Sequence, residues 1–117
     1  MNEFNNFTLV GRICKDAEVK NFEKKSIVRF GIFLNAQKKK EGQQYPKSTI
    51  VNFERFIKKD DNKILNILKK GNLVKVQGMY DVDAYTDKQG NEVVKEKRIA
   101  LNIEEFSYPE KNEDKEK

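Results

Sequence analysis

Apolar and polar side chains alternate along most of this chain, and at one place the spacing lengthens to that of a helix. Phe7 to Ile13 (FTLVGRI) reads as a first strand, with Gly11 marking a bulge or a close backbone approach. Ser26 to Asn35 (SIVRFGIFLN) reads as a second. Its Val28, Phe30, Ile32 and Leu34 share one face and Arg29, Gly31 and Phe33 the other, so the first set is assigned to a core. Phe33 is then a large ring left outside beside Arg29. In a third strand Val51 and Phe53 alternate with Asn52 and Glu54, and Lys58 and Lys59 end it. Leu73 to Gly78 alternates again and runs on to Tyr85 as a fourth. After a hairpin loop from Thr86 to Asn91, whose Gly90 suits positive φ, Glu92 to Ile103 returns as a fifth. Its apolar points are Val94, Ile99, Leu101 and Ile103.

Between the third and fourth strands the pattern changes. Asp60, Asp61 and Asn62 offer side-chain oxygens to the free amides of a helix start, where negative charge also suits the dipole. Ile64, Leu65, Ile67 and Leu68 put apolar groups on one face, Lys69 and Lys70 sit at the negative end, and Gly71 supplies a left-handed stop. A single helix inserted in an otherwise β chain is what a small barrel needs to cover an open end. The expected class is all-β, a five-stranded OB-fold barrel with one short helix between strands three and four.

The remaining stretches are connections. Asp16 to Phe22 is a polar link with one apolar point at Val19, and Glu23–Lys24–Lys25 is a turn. Gln37 to Ser48 (QKKKEGQQYPKS) has no period, two helix breakers and three consecutive lysines, and is expected to be a mobile loop. Phe106 and Tyr108 close a domain spanning 1–108. The charge-alternating residues 109–117 are expected to be a disordered tail.

Composition narrows the chemistry. At 117 residues there is room for one core, and charged and hydrophobic residues at 37% each make that core modest. No apolar run reaches membrane-spanning length and the first residues lack the layout of a signal peptide, so no membrane partner is expected and the cytoplasm is the expected location. Cys14 is the single cysteine and there is no histidine, which leaves no internal disulfide and no zinc set. Without an imidazole there is no ordinary general base and no activated Ser or Cys. A non-enzymatic protein without cofactor or metal is expected. The net charge of +5 suits a polyanionic partner, although a lysine-rich surface also serves simply to keep a protein solvated.

LVGRICKDAEVK, VRFGIFLNA, KKGNLVKVQG and AYTDKQGNE, in that order and spacing, resemble the bacterial, phage and plasmid single-stranded DNA-binding proteins over about residues 4 to 108. The resemblance implies an OB-fold, a homo-oligomer (dimer or tetramer), and a role in coating single strands during replication, recombination or DNA transfer. It also implies that aromatic side chains of the third strand and of the last hairpin stack on bases. Tyr85 falls where the family places a stacking Trp. In the third strand, aligning Ile50 to Phe56 with the family's aromatic-x-Asn-x-x-x-aromatic pattern makes Phe56 the stacking ring and Phe53 core; an alignment without one extra residue puts Ile57 there instead. Three departures stand out. There is no Trp, and an early family Trp position falls in Lys38–Lys39–Lys40. Asp81 and Asp83 make the hairpin approach acidic, and the family's acidic tip closing on Pro-Phe has no counterpart. The last of these points to an accessory copy carried by a phage or mobile element.

Binding a single strand without reading its sequence requires flat rings for bases and a basic groove for phosphates. The candidate rings are Tyr85, Phe56, Phe33 and Tyr45. The candidate cations are Arg12, Arg29, Lys38, Lys39, Lys40, Arg55, Lys75, Lys97 and Arg98. The alternatives within the same fold are an RNA- or tRNA-binding module, since no feature here reads a 2′-hydroxyl, and a protein–protein adaptor using the same barrel face.

Overall fold

A computed structural model describes residues 4–38, 40–59 and 61–108. The expected tail at 109–117, Lys39 and Asp60 lie outside the described residues. The strands are β1 (Phe7–Arg12), β2 (Glu18–Asn21), β3 (Lys25–Asn35), β4 (Ser48–Lys58), β5 (Leu73–Thr86) and β6 (Glu92–Glu105). They form one sheet in the order β1-β5-β6-β4-β3-β2. All neighbours are antiparallel except β4 and β6, which run parallel and register at Glu54–Ile99 alone.

The sheet curls until the end of β1 meets β3, the fifth strand in the order. An isolated bridge joins Ile13 to Ile32, and the Cys14 amide donates to the Gly31 carbonyl at 3.0 Å. The ladder itself does not close, so the barrel expected from the sequence is closed at one point and not along a seam. Gly11 makes that point possible: a Cβ there would stand 2.4 Å from the Phe33 carbonyl oxygen. Of the two readings of Gly11, the close approach is the observed one.

The inward faces follow the alternation. Val28, Phe30 and Ile32 of β3, Val51 and Phe53 of β4, and Val74 and Val76 of β5 are buried together with Phe7, Ile13, Leu68, Ala100 and Ile103. Phe53 sits at the middle of this core, with ring centroids 5.1 Å from Phe30 and 5.5 Å from Phe7. Each fully buried side chain of this size contributes roughly 1.5–3 kcal/mol relative to exposure. Leu101 and Val94 of the fifth predicted strand are exposed. Leu101 falls in the register shift that follows Gln77, and Val94 lies beyond the barrel in the hairpin.

Two elements differ from expectation. The stretch after Lys59 forms one 3₁₀ turn, Lys63–Asn66, instead of a short α-helix. Asn62 at its start makes no capping hydrogen bond through its side chain. The following residues are tied to the β1–β2 connection, with the Ala17 amide donating to Leu68 O (3.1 Å) and the Lys70 amide to Asp16 Oδ1 (2.8 Å). Those ties leave too few residues to offset helix nucleation. The apolar residues still act as expected: Leu68 is buried, with Ile64, Leu65 and Ile67 packed around it, and Gly71 turns the chain at φ +90°. The second difference is β2, which the sequence presents as a polar link. All four of its residues are exposed, so it has no buried face to create an alternation. Among the described residues no helix is long and apolar enough to cross a membrane.

Candidate nucleic-acid interface

The outer face of the β3–β4 ladder is built in rows fixed by register. Phe33 lies opposite Ile50, Gly31 opposite Asn52, Arg29 opposite Glu54, and Ile27 opposite Phe56. Because side chains alternate, burying Val28, Phe30 and Ile32 forces Arg29 and Phe33 outward, and burying Val51 and Phe53 does the same to Asn52 and Phe56. The result is two rings near the ends of one face, Phe33 at 45% exposure and Phe56 at 43%. Six residues separate their rows, roughly 20 Å at strand rise. The Lys25 ammonium stands 4.9 Å from the centre of the Phe56 ring. Between the rings Arg29 donates from Nε to Glu54 Oε2 at 2.8 Å.

β6 leaves β4 beyond the Glu54–Ile99 pair, and the parting opens a cleft of about 330 Å³ beside this face. Lys15, Arg29, Asn52, Glu54, Lys97 and Arg98 are among its walls. Arg98 crosses the gap, donating to the Asn52 carbonyl at 3.4 Å while lying 6.0 Å from the Tyr80 ring centre. At the mouth, Lys15 and Glu18 pair at 2.9 Å. That hydrogen bond holds the Glu18 carboxyl below its ordinary pKa and raises that of the Lys15 ammonium.

Past Tyr80 and Arg98 the β5–β6 pair continues as a two-stranded arm exposed on both faces. One face carries Asp81–Lys97, Asp83–Lys95 and Tyr85–Val93; the other carries Tyr80–Arg98, Val82–Glu96 and Ala84–Val94. Tyr85 is 42% exposed, with the Lys95 ammonium 5.8 Å from its ring centre. The two aspartates expected to repel phosphate each face a lysine directly across the ladder. The arm is closed by Asp87, whose Oδ1 accepts from the amides of Gln89 and Asn91, and by Gly90 at φ +84°.

Phe33, Arg29, Phe56, Lys97 and Arg98 therefore gather around one face and its cleft, with Tyr85 on the arm that rises from it. Tyr45, Lys38 and Lys40 sit in the loop that joins β3 to β4, held at its base by the Ala36 amide donating to Lys47 O (2.7 Å). The other candidates are placed elsewhere. Arg55 has the parity of Val51 and Phe53, not of Phe56, and its Nη1 donates to the carbonyls of Ala100 and Leu101. It clasps β4 to β6. Arg12 donates to the Gly71 carbonyl at 3.0 Å, and Lys75 faces Val10 on one side and Glu104 on the other, its ammonium 3.9 Å from that carboxylate. Neither lines the cleft.

Lys15, Lys25, Asn52 and Lys95 also lie at the candidate face or its arm, and the sequence reading did not put them among the candidates. Lys95 could have been found by counting back from the hairpin turn, and Asn52 by its parity with Phe56. Lys15 and Lys25 carry no such signal. Among the described residues no group of His, Cys, Asp or Glu could hold a metal ion.

The model of the single-strand binding protein family matches residues 4–107, which takes in every strand. The chain belongs to this family. Its fold is shared with the Plasmodium falciparum SSB solved in complex with ssDNA, at a TM-score of 0.65 and 18% identity, over 89% of this chain and 96% of that one. It is shared too with the mitochondrial single-stranded DNA-binding protein Rim1 of S. cerevisiae, at a TM-score of 0.61 and 16% identity, over 92% and 100%. No curated protein matches this chain in sequence. For a single-strand binding protein family member, the two positions that the sequence resemblance marks for base stacking, Phe56 and Tyr85, are both half-exposed rings with a lysine beside them.

Proposed function

We propose that this chain binds single-stranded DNA without reading its sequence, and that it does so as a homo-oligomer. The observation that carries the proposal is the pair of half-exposed rings on one strand face, Phe33 and Phe56, with cations between and beside them. A large ring facing water is unfavourable unless something covers it, and a base stacks on such a ring whatever its identity. Arg29, Lys97 and Arg98 supply the positive charge that follows a phosphate backbone, and Tyr85 extends the stacking surface along the arm. Membership of the family and the fold shared with the Plasmodium falciparum SSB support the same reading. Self-association is supported by β1, whose edge away from β5 meets β3 only near the Ile13–Ile32 bridge among the described residues, and by Tyr80, Val82 and Val94 exposed on one face of the arm.

Fluorescence anisotropy with labelled poly-dT, poly-U and duplex DNA at two salt concentrations tests this. Poly-dT should bind tightest and duplex weakest, with affinity falling as salt rises. Equal binding of poly-U would make RNA the ligand class, and failure to bind any strand would turn the face into a protein contact. Light scattering on the same sample should give a mass at least twice that of one chain.

A further inference from the structure

Three cations of the proposed DNA face, Lys15, Arg29 and Arg98, are already paired. Across β2, β3 and β4 the register sets Glu18, Arg29 and Glu54 in one row, so a carboxylate residue flanks Arg29 on each side. Arg29 bonds Glu54 at 2.8 Å, Lys15 bonds Glu18 at 2.9 Å, and Arg98 stands 3.3 Å from Glu96. Glu54 is the most enclosed of these carboxylates, its side chain 20% exposed. A groove built only to attract phosphate would not carry three carboxylates among its cations.

We propose that Glu18 and Glu54 damp the charge part of binding: by holding Lys15 and Arg29 they weaken every polyanion by the same factor, so that a ligand gaining nothing from stacking binds only at high concentration. The inference rests on the single-strand reading above. A phosphate that reaches Arg29 must displace Glu54, and the freed carboxylate must then recruit a cation from solution. The counterion released from the strand is offset by the one taken up, so charge alone gains little. A single strand gains in addition from stacking on Phe33, Phe56 and Tyr85, at roughly 1–3 kcal/mol per base. A polyanion without bases has no such gain.

The test compares E18Q/E54Q with the charge-matched E23Q/E105Q, whose carboxylates do not line the cleft. Glutamine keeps the shape of the side chain and can still accept from Arg29, and the melting temperature of each variant is recorded first. Poly-dT affinity is measured against salt, and inorganic polyphosphate is used to displace labelled poly-dT. Freeing two cations should steepen the log–log salt slope by up to about 1.4, since each phosphate contact in single strands carries about 0.7. With labelled poly-dT kept well below its dissociation constant, polyphosphate should displace it at a concentration roughly five- to tenfold lower, and poly-dT itself should tighten by a similar factor, the size expected for release of two solvent-exposed or partly exposed ion pairs. The control should leave slope and competition near those of the wild type. Equal shifts in both variants would overturn the proposal in favour of net charge, and no shift in either would overturn it outright. Should E54Q lower the melting temperature, E18Q alone carries the test, because Glu18 is exposed and holds only Lys15. A wild-type protein that ignores poly-dT is a different result and refutes the underlying reading.

Discussion

Tyr85, proposed to stack on a base, and Arg55, which clasps β4 to β6, show how little separates the two roles at the level of the single side chain. Both are long and polar-tipped, and both lie on strands that leave the barrel's centre. Tyr85 is set beyond the core on the arm, so its removal leaves no cavity. Tyr85→Ala should cost roughly 1–3 kcal/mol in poly-dT affinity and change stability by no more than about 0.5 kcal/mol. Tyr85→Trp should retain binding and report it by quenching, with no other Trp in the chain to interfere. A folded Tyr85→Ala with wild-type affinity would remove the arm from the DNA path. Arg55 inverts the pattern. Its donors serve the carbonyls of Ala100 and Leu101, while its Nε is buried without a partner. Arg55→Gln should lower stability by about 1–3 kcal/mol through those unsatisfied groups, measured by urea denaturation, with poly-dT affinity of the folded fraction unchanged. Chain parity would have separated them: Arg55 is an even number of residues from Phe53.

Glu18 gives a pH signature at the same scale. The folded-state pKa lies below its ordinary value because Lys15 donates a hydrogen bond to the carboxylate and adds an opposite charge. A depressed carboxyl stabilises the fold above its unfolded pKa, and that contribution is lost as pH falls through the folded one. NMR titration should therefore find the Glu18 midpoint below that of an unpaired glutamate, and Lys15→Gln should return it to the ordinary range. A midpoint unmoved by Lys15→Gln would mean the pair does not form in solution.

At the scale of elements, the strands with one buried face were legible and those without were not. β3 and β4 announce themselves because Val28, Phe30, Ile32, Val51 and Phe53 must share a side. β2 does not, because an exposed edge strand has only backbone pairing to define it, and backbone pairing leaves no trace in composition. The 3₁₀ turn departs from the helical pattern for a related reason. Its apolar spacing is helical, but its length is limited by hydrogen bonds to Asp16 and Ala17, partners more than 45 residues away in sequence. Gly78 is a further case in which the constraint is tertiary. It stands at the register shift of the β5–β6 ladder, where a Cβ would fall 1.9 Å from the Ile99 carbonyl oxygen and 2.9 Å from the Phe7 ring. Neither backbone nor ring can move without disturbing the core. Gly78→Ala should cost at least about 1–3 kcal/mol, as overpacking does, and thermal melting gives the answer. A melting temperature within a degree of wild type would show that β6 can shift away at this bulge.

For the whole molecule, the question is where the salt dependence of binding originates. The net charge of +5 is spread over a surface that also carries 19 acidic residues, so the average field is weak and the local arrangement decides. Around the cleft Lys15, Arg29 and Arg98 are paired with carboxylates, and on the arm Lys95 and Lys97 lie across the ladder from Asp83 and Asp81. The loop between β3 and β4 is arranged differently. Its lysines follow one another at 38–40, and among the described residues neither Lys38 nor Lys40 enters an ion pair. A phosphate approaching them displaces no carboxylate. These lysines should therefore release a full counterion complement, while Arg29 and Lys15 release little. Replacing Lys38, Lys39 and Lys40 by Gln should flatten the log–log salt slope for poly-dT by up to about two, at roughly 0.7 per contact. The weakening should be the same for every single strand, since the loop acts through charge and not through fixed contacts to bases. Measuring the slope from low to moderate salt in the wild type and the triple variant decides it. If the slope is unchanged, the loop lies off the DNA path, and the salt dependence must come from cations that have given up their carboxylates.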